Sequence, residues 1–362
     1  MRIGYFFPLL VIALLIVPKS MAQQVNCTET LNSARENFAQ GRLYGIPALL
    51  KPCIDNGFNK NQKIQAYWLL TRTYLYIDDP ISAEDSYLKL LKLDPEYKVD
   101  QEKDPIEMVY LDQKFTTAPI FVLFVNAGFN VTWASVIHDY GVGNTRLSDQ
   151  NYQGEVGFQF GAGTEWNISD HWSLGMEINL ANRRYTYTNN LFDVDNLVFS
   201  ETQLNLDVPI FLKYRVTYDK IQPFIYFGYA QHILLRSDAE VSLTDRATTG
   251  DENLTEFPVT GPRENLDELR ERLTRSLVGG IGFNYRFGYN YLRFDARYQL
   301  GLENIIDINN QYADEDLLYR YGFVDDDKKL NALAVSIGFV KPLYKPRKIR
   351  KPRANFLKRI FK

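Results

Sequence analysis

Few residues in this chain could catalyse a reaction. It has only three histidines and two cysteines among 362 residues. A hydrolase of the Ser-His-acid type needs a histidine within hydrogen-bond reach of a serine. The candidates are His138 with Ser135 or Ser148, and His232 with Ser237. Nothing in their spacing is specific, and histidines in surface loops are usually just solvated. We therefore expect a protein that is not an enzyme and uses no cofactor.

Two acidic clusters offer oxygen ligands for a cation. They are Asp314–Asp316 and Asp325–Asp327, both in one predicted loop. Carboxylates bind Ca²⁺, and such clusters can also bridge the cations of lipopolysaccharide. Because the spacing of an EF-hand is absent, a solvated loop is the simpler interpretation, and we predict no metal site.

The charge and the single long apolar segment restrict the class of protein. Lysine and arginine total 41 against 44 acidic residues, a net charge of -3, which argues against a nucleic-acid-binding protein. Helical membrane proteins with several spans need repeated runs of roughly 20 apolar residues. The only long apolar run, near residues 5–17, follows Arg2 and precedes small residues at 20–22, which is typical of a signal peptide.

The signal peptide, residues 1–22, predicts an exported protein. Cys27 lies too far from it to serve as a lipid-anchor cysteine. An oxidising compartment permits a Cys27–Cys53 disulfide, although two buried thiols that pack between helices remain an alternative.

Residues 23–117 show helical periodicity. The pattern predicts a helix over 60–79, a second helix from about Ser82 to Asp94, a weaker copy of the pair that includes Leu43–Ile54, and a cap over 104–115. The spacing resembles a tetratricopeptide repeat, which implies a helix-pair stack that binds a peptide or a partner protein. A structural spacer is the alternative. The positions that match are Tyr67, Leu70, Thr71, Tyr74, Ala83, Tyr87, Leu90 and Pro95.

Residues 118–344 alternate between apolar and polar side chains with a period of two. Eight strands are predicted, over 120–134, 152–168, 172–188, 200–218, 222–241, 273–287, 291–306 and 331–344. A sandwich with one solvated face and a transmembrane barrel both show this alternation. Long connections alternate with short ones, and this asymmetry, together with the even strand number, indicates an outer-membrane barrel. The many aromatic residues, 24 Tyr and 23 Phe, then belong at the membrane boundary.

The polar side of the strands carries both signs of charge. If this side faces the lumen, we expect a balanced salt-bridge network that closes a barrel just wide enough for side chains to fill it. A conducting pore is the alternative. The residues assigned to the network are Glu155, Glu165, Glu177, Asp207, Lys213, Arg215, Arg286, Arg293, Asp295 and Arg297.

The tail, residues 345–362, is basic and contains no acidic residue. With an even number of strands both termini face the periplasm, so the tail could lie on anionic lipid or contact an acidic partner. A disordered end is the alternative. The basic side chains of the proposed contact are Arg347, Lys348, Arg350, Lys351, Arg353, Lys358, Arg359 and Lys362.

Taken together, the chain resembles the PorT-like outer-membrane barrels of Bacteroidetes, with barrel residues Asp295–Leu302 and the preceding helical segment Asp94–Tyr97 carrying the likeness. The resemblance implies an α plus membrane-β fold, with a short helical repeat domain before an eight-stranded antiparallel barrel. It also implies an outer-membrane location and a place near the type IX secretion machinery. We expect contacts with outer-membrane lipid and with a periplasmic or outer-membrane protein. The expected role is an adaptor in envelope assembly, secretion or motility, with a small-solute pore or a surface receptor as the alternative.

Overall fold

The computed structural model describes residues 26–100, 104–140, 148–191, 195–217, 220–247 and 255–349. The chain forms two compact units. The helical unit comprises the residues up to Ala118 together with those from Lys345 onward, and the barrel comprises Pro119–Tyr344. The predicted signal peptide and the tail beyond Ile349 lie outside the described residues.

The helical unit contains five helices and one short strand pair within the described residues. The helices are α1 Cys27–Ala39, α2 Ile46–Asp55, α3 Lys60–Tyr76, α4 Pro80–Leu93 and α5 Ile106–Asp112. Strand β1, Phe115–Thr116, pairs antiparallel with β11, Arg347–Lys348. The described part of the tail therefore joins the helical unit. None of the helices in the described ranges is both long enough and apolar enough to cross a bilayer.

Side-chain caps set where the central helices begin. The Asn59 side chain accepts a hydrogen bond from the Gln62 backbone N–H, and the Gln62 side chain accepts one from the Asn59 N–H, so α3 starts with a capping box. Asp79 caps α4 by accepting from the Ser82 N–H at 3.1 Å. The sequence predicts a start near Ser82 for this helix, after the preceding helix over 60–79. Instead, Pro80 is the first residue of α4, a position where its missing N–H has no intrahelical partner to lose.

The helical unit has an apolar interior in two adjoining clusters. The first packs α1, α2 and α3 around Leu50 and Leu69, and a disulfide joins Cys27 of α1 to Cys53 of α2 with their Cα atoms 5.5 Å apart. The second packs α4 and α5 around Tyr87, whose hydroxyl donates to Asp112 at 2.5 Å. Of the repeat positions, five are buried (Leu70, Thr71, Ala83, Tyr87 and Leu90) and three are partly exposed (Tyr67, Tyr74 and Pro95).

The barrel is a closed ring of eight antiparallel strands, which confirms the predicted strand number. In ring order the neighbours are β5, β4, β3, β2, β10, β9, β8 and β6, and β6 pairs with β5 to close the ring. Their bounds are β2 Phe121–His138, β3 Ser148–Asn167, β4 Trp172–Leu191, β5 Asp195–Arg215, β6 Ile221–Ala247, β8 Leu273–Phe287, β9 Asn290–Gly301 and β10 Asp327–Leu343.

The two ends of the barrel differ. At one end the connections are tight, as at Gly288, whose φ of +60° a glycine adopts without strain. At the other end six of the eight strands extend further than predicted, whereas β9 ends at Gly301 instead of 306, and an additional strand, β7 Thr255–Asn265, pairs with the C-terminal part of β6. The sequence analysis had assigned 242–272 to a loop. Around β7, the apolar side chains of Leu266, Leu317 and Phe323 pack against Phe199 of the barrel wall.

The strand alternation places apolar side chains outward. Along β2, Leu123 and Val125 are exposed whereas Val122, Phe124 and Asn126 are buried. The same outward apolar band continues on the neighbouring strands, for example Ile178 on β4 and Phe227 on β6. The interior receives the other set of side chains, which is largely polar.

Candidate functional site: the charged interior of the barrel

Buried ion pairs fill the interior of the barrel in successive layers. In the layer nearest the tight turns, Glu165 of β3 accepts from Lys213 of β5 at 2.9 Å and from Arg293 of β9 at 2.6 Å. All three side chains are at most 6% exposed. The Lys213 ammonium also lies 3.7 Å from the centre of the Phe224 ring, so aromatic faces complete the surroundings of these charges.

The second layer centres on Arg297 of β9. Both of its terminal nitrogens donate to Glu177 of β4, at 3.2 and 3.0 Å, and its Nε donates to Asp295 at 3.1 Å. Tyr226 and Asn126 donate to the same carboxylates. A bidentate arginine pair with additional donors is the arrangement that best compensates a carboxylate for the loss of water.

The third layer contains a serine, a histidine and an aspartate in hydrogen-bond sequence. His232 Nδ1 lies 2.6 Å from Asp207 Oδ1, and His232 Nε2 lies 2.7 Å from Ser276 Oγ. Arg183 donates to Asp207 at 2.8 Å and to Gln299 at 2.7 Å. The order of atoms matches a hydrolytic triad. However, the serine and histidine are 1% and 3% exposed.

The space beside this triad is small. A cavity of about 20 Å³ touches His232, Arg183 and Gln203. That volume accommodates a water molecule but not the acyl group of a substrate. The Ser276–His232–Asp207 arrangement is therefore best explained as a buried polar network, in which Asp207 is paired with both His232 and Arg183 and His232 is hydrogen-bonded on both ring nitrogens.

The fourth layer joins the barrel wall to the segments at its long-loop end. Arg270, which follows β7, donates to both oxygens of Glu201 at 2.8 and 2.6 Å and contacts Asp325 at 2.5 Å. Lys328 forms an ion pair with Asp325, and Tyr185 donates to Glu201. The interior network thus contains equal numbers of carboxylates and cations: Glu165, Glu177, Glu201, Asp207, Asp295 and Asp325 against Arg183, Lys213, Arg270, Arg293, Arg297 and Lys328.

Three of the predicted network residues lie outside these layers. Glu155 contacts the half-exposed Arg184 at 3.5 Å, near the long-loop end. Arg286 lies partly exposed at the tight turn, where its Nε donates to the Gly288 carbonyl at 3.4 Å. Arg215 is buried but donates to Asn167 at 2.7 Å. Arg215 and Arg286 lie at strand ends, where side chains of the inward parity reach the rim instead of the interior. Glu155 lies within β3, at a register shift against β4 between Glu155 and Gln159, and so contacts Arg184 instead of the interior cations.

The network also includes residues that the sequence analysis did not assign to it. Glu201 shares the strand parity of Asp207, and Arg183 shares that of Glu177, so extending the alternation would have found both. Arg270 and Asp325 lie in irregular segments outside the strands. These segments show no apolar–polar alternation, so the sequence could not indicate which way their side chains point. His232 was considered only with Ser237, which instead donates to Glu201 at 2.7 Å.

Other sequence candidates are placed elsewhere. His138 is exposed at the end of β2 against the Tyr140 ring, 4.7 Å away, and the Ser148 side chain lies outside what the structure describes. The prediction that Asp325–Asp327 is solvated was wrong, because Asp325 and Asp326 are buried. Burial raises the pKa of Asp326, which accepts from the Tyr140 N–H and the Tyr152 hydroxyl. Among the described residues no group of three His, Cys, Asp or Glu is arranged to bind a metal ion.

The described part of the tail, residues 345–349, belongs to the helical unit. Besides the pairing of β1 with β11, Lys348 contacts Glu84 of α4 at 2.5 Å, and Lys114 contacts the same carboxylate at 3.4 Å. The hydrogen bond from Lys348 lowers the pKa of Glu84. The remaining basic residues of the tail, from Arg350 onward, lie outside the described residues.

Known proteins resemble the barrel part of the chain. A family model described as an outer membrane protein beta-barrel domain matches residues 121–307. The solved structure of the outer membrane protein OprG from Pseudomonas aeruginosa is 15% identical, covers 64% of this chain and 99% of its own, and has a TM-score of 0.33. Neisserial surface protein A is 13% identical, with 61% and 97% covered and a TM-score of 0.28. The outer membrane enzyme PagL is 12% identical, with 59% and 99% covered and a TM-score of 0.25. No curated protein matches the chain.

Proposed function

Because the chain belongs to the outer membrane protein beta-barrel domain family, we propose that its barrel is a non-enzymatic anchor in the bacterial outer membrane. The anchor presents the helical unit to a periplasmic protein partner. The protein then acts as an adaptor in envelope assembly, secretion or motility.

The observation that carries this proposal is the filled interior of the barrel. A transport pore needs a continuous aqueous path, whereas here every layer contains buried carboxylates paired with cations, and the Glu165–Arg293 and Glu177–Arg297 pairs reach across the ring. Eight strands leave room for side chains and little else. An anchor uses only the outer surface of the barrel, so a closed interior costs it no function.

The helical unit supplies the surface for a partner. Its two helix pairs, α1 with α2 and α3 with α4, support the tetratricopeptide-like interpretation, since such pairs stack into binding surfaces. The disulfide and the capping box keep a small unit ordered in an oxidising compartment. The barrel strands begin at Phe121 and end at Leu343, paired with each other at the end of the tight turns. Short turns are typical of the periplasmic side, which supports periplasmic termini.

The adaptor role is tested by affinity purification from membranes. Full-length protein is compared with a variant that lacks residues 23–115, and the folded barrel is verified in both by its heat-dependent mobility on gels. We expect partner proteins to co-purify with the full-length chain and to be lost from the deletion variant. An unchanged set of co-purifying proteins would remove the main support for an adaptor.

The competing pore function is tested separately in planar bilayers. The neutral, filled interior predicts negligible conductance, because an ion would have to displace buried pairs. A stable state of large conductance would favour the pore instead.

A surface receptor is a second candidate, favoured by one specific feature. The connection between β9 and β10 exposes Ile308, Tyr312 and Tyr319, with Tyr319 81% exposed, beside Glu315 and Asp316. Exposed aromatic side chains are common in binding surfaces. Replacing Tyr319 by Ala should weaken binding of an external ligand under this alternative and leave periplasmic partners unchanged.

A further inference from the structure

One face of the helical unit combines aromatic rings with cations, and none of the six described side chains that define it is acidic. On α3 the positions 65, 68, 72 and 76 follow a spacing of three or four residues and so lie on one side of the helix. Two residues of α1 meet this side. We call the set the α1–α3 stripe; its members are Arg35, Phe38, Gln65, Trp68, Arg72 and Tyr76.

Arg72, at the centre of the stripe, has aromatic contacts but no acceptor. Its guanidinium carbon lies 4.5 Å from the Trp68 ring centre and 5.2 Å from that of Phe38. Its Nε is buried without a hydrogen-bond partner, and within the described residues it forms no ion pair. A guanidinium has five N–H donors in a fixed fork, and buried donors without acceptors are rare in native proteins. The two rings fix the position of the guanidinium, and its N–H groups have no hydrogen-bond acceptor among the described residues.

The residues around Arg72 indicate which kind of ligand would supply the acceptor that its guanidinium lacks. The other arginine of the stripe, Arg35, donates to Gln65 at 2.7 Å. Tyr76 is 58% exposed, and its ring meets Phe38 edge-on with centroids 5.7 Å apart. The stripe therefore offers a bidentate cation flanked by apolar surface. This chemistry matches a carboxylate next to an apolar side chain.

We propose that the α1–α3 stripe binds an extended peptide segment of the partner through a carboxylate that pairs with Arg72. An adjacent apolar side chain of the peptide packs on Phe38 and Tyr76. The carboxylate belongs to an Asp or Glu side chain of that peptide. This proposal rests on the adaptor function and specifies the chemistry of its partner.

A purely structural role for Arg72 makes a different prediction. If the guanidinium served only to pack between Trp68 and Phe38, its replacement would lower the stability of the helical unit and show no dependence on the charge of a peptide. Binding of matched peptides separates the two roles, because only a binding site distinguishes a carboxylate from an amide.

The experiment measures binding of short fluorescent peptides to the full-length protein in detergent or nanodiscs. One library carries a single Glu among apolar residues and a C-terminal amide. A second replaces that Glu by Gln, and a third keeps the Gln and has a free C-terminus. The proteins are the parent, Arg72→Gln, Arg72→Lys and a control, Arg42→Gln, which removes an exposed charge outside the stripe. Thermal unfolding of each variant verifies that the helical unit is folded.

We expect the parent to bind the Glu library about tenfold more tightly than the neutral library. Arg72→Gln should abolish this preference, Arg72→Lys should retain part of it because the fork is lost but the charge is kept, and Arg42→Gln should leave it intact. A preference for the third library alone would mean that the site binds a free C-terminus and would overturn the proposal as stated. Equal binding of all libraries, no binding to the parent, or a carboxylate preference that survives in Arg72→Gln would overturn the proposal.

The two proposals fail in different ways. Partners that are lost on deletion of 23–115 but bind Arg72→Gln normally would preserve the adaptor and reject the stripe. A carboxylate preference that depends on Arg72, without any partner in membranes, would preserve the site and reject the adaptor.

Discussion

The helical unit and the barrel distribute the same kinds of residues in opposite ways. In the helical unit, apolar side chains such as Leu50 and Leu69 are at most 2% exposed, and the Lys89–Asp85 pair lies on the surface with 47% and 58% exposure. In the barrel, Ile178 is 54% exposed, and the Lys213–Glu165 pair is buried at 1% and 2%. Water surrounds the first unit and lipid surrounds the second, so the more favourable location for each side chain is reversed.

The reversal changes which interactions the two units depend on. An exposed ion pair in water contributes little to stability, because solvent screens it. A buried pair is not strongly stabilising by itself, but removing one partner leaves a charge without compensation. The barrel should therefore be sensitive to loss of interior charges, and the helical unit to loss of its covalent and apolar constraints.

The largest effect is expected for Arg270→Met. This change leaves Glu201 and Asp325 buried without their arginine and should cost the barrel about 3–5 kcal/mol of unfolding free energy. Urea unfolding in lipid vesicles, followed by heat-dependent gel mobility, measures it. The matched control is Arg236→Met, because Arg236 is exposed in its pair with Asp238 and should cost less than about 1 kcal/mol. Equal costs would contradict the layered interior.

The next effect concerns the disulfide of the helical unit. Cys27→Ser with Cys53→Ser opens a loop whose ends are 26 residues apart and should cost the helical unit about 3 kcal/mol by the loop-entropy relation. Protease susceptibility of the helical unit, with and without reductant, measures the change. The barrel mobility should be unaffected, and a parallel loss of barrel stability would show that the two units do not unfold independently.

A charge on the outer surface of the barrel tests the reversal directly. Ile178→Arg should cost about 2 kcal/mol if this side chain faces lipid, with the value depending on depth in the bilayer. Refolding yield into vesicles measures it, and Ile178→Leu serves as the control. A change of nearly zero would mean that this surface contacts water.

The smallest effect is a pH dependence at the tail contact. Because the hydrogen bond from Lys348 lowers the pKa of Glu84, its contribution is complete above the usual glutamate pKa of about 4.3 and is lost as the pH falls through the lowered value. The partly exposed pair should contribute about 0.5 kcal/mol. Thermal unfolding of the helical unit across this acidic range measures it. Glu84→Gln should remove the dependence, and Lys89→Gln on the same helix should not.

The predictable part of this molecule was the part with a regular period. Alternation identified eight strands and placed Glu165, Glu177 and Arg297 in the interior. It missed β7, because the polar segment 242–272 lacks a clear apolar side. It could not predict that Arg270 and Asp325 are part of the interior network, because irregular segments have no alternation between inward and outward side chains. The start of α4 was misjudged because a proline interrupts a helix in its middle but suits its first position.

The sequence by itself determined which side of each strand is apolar, how many strands there are and which ends carry the tight turns, because these properties depend on neighbouring residues. Only the tertiary structure decided which charges meet. Glu165 and Arg293 are 128 positions apart and pair because β3 and β9 lie in one closed ring with a particular register. The ring brings distant strands within a few ångströms, and burial away from water then leaves each carboxylate dependent on the cation that pairs with it.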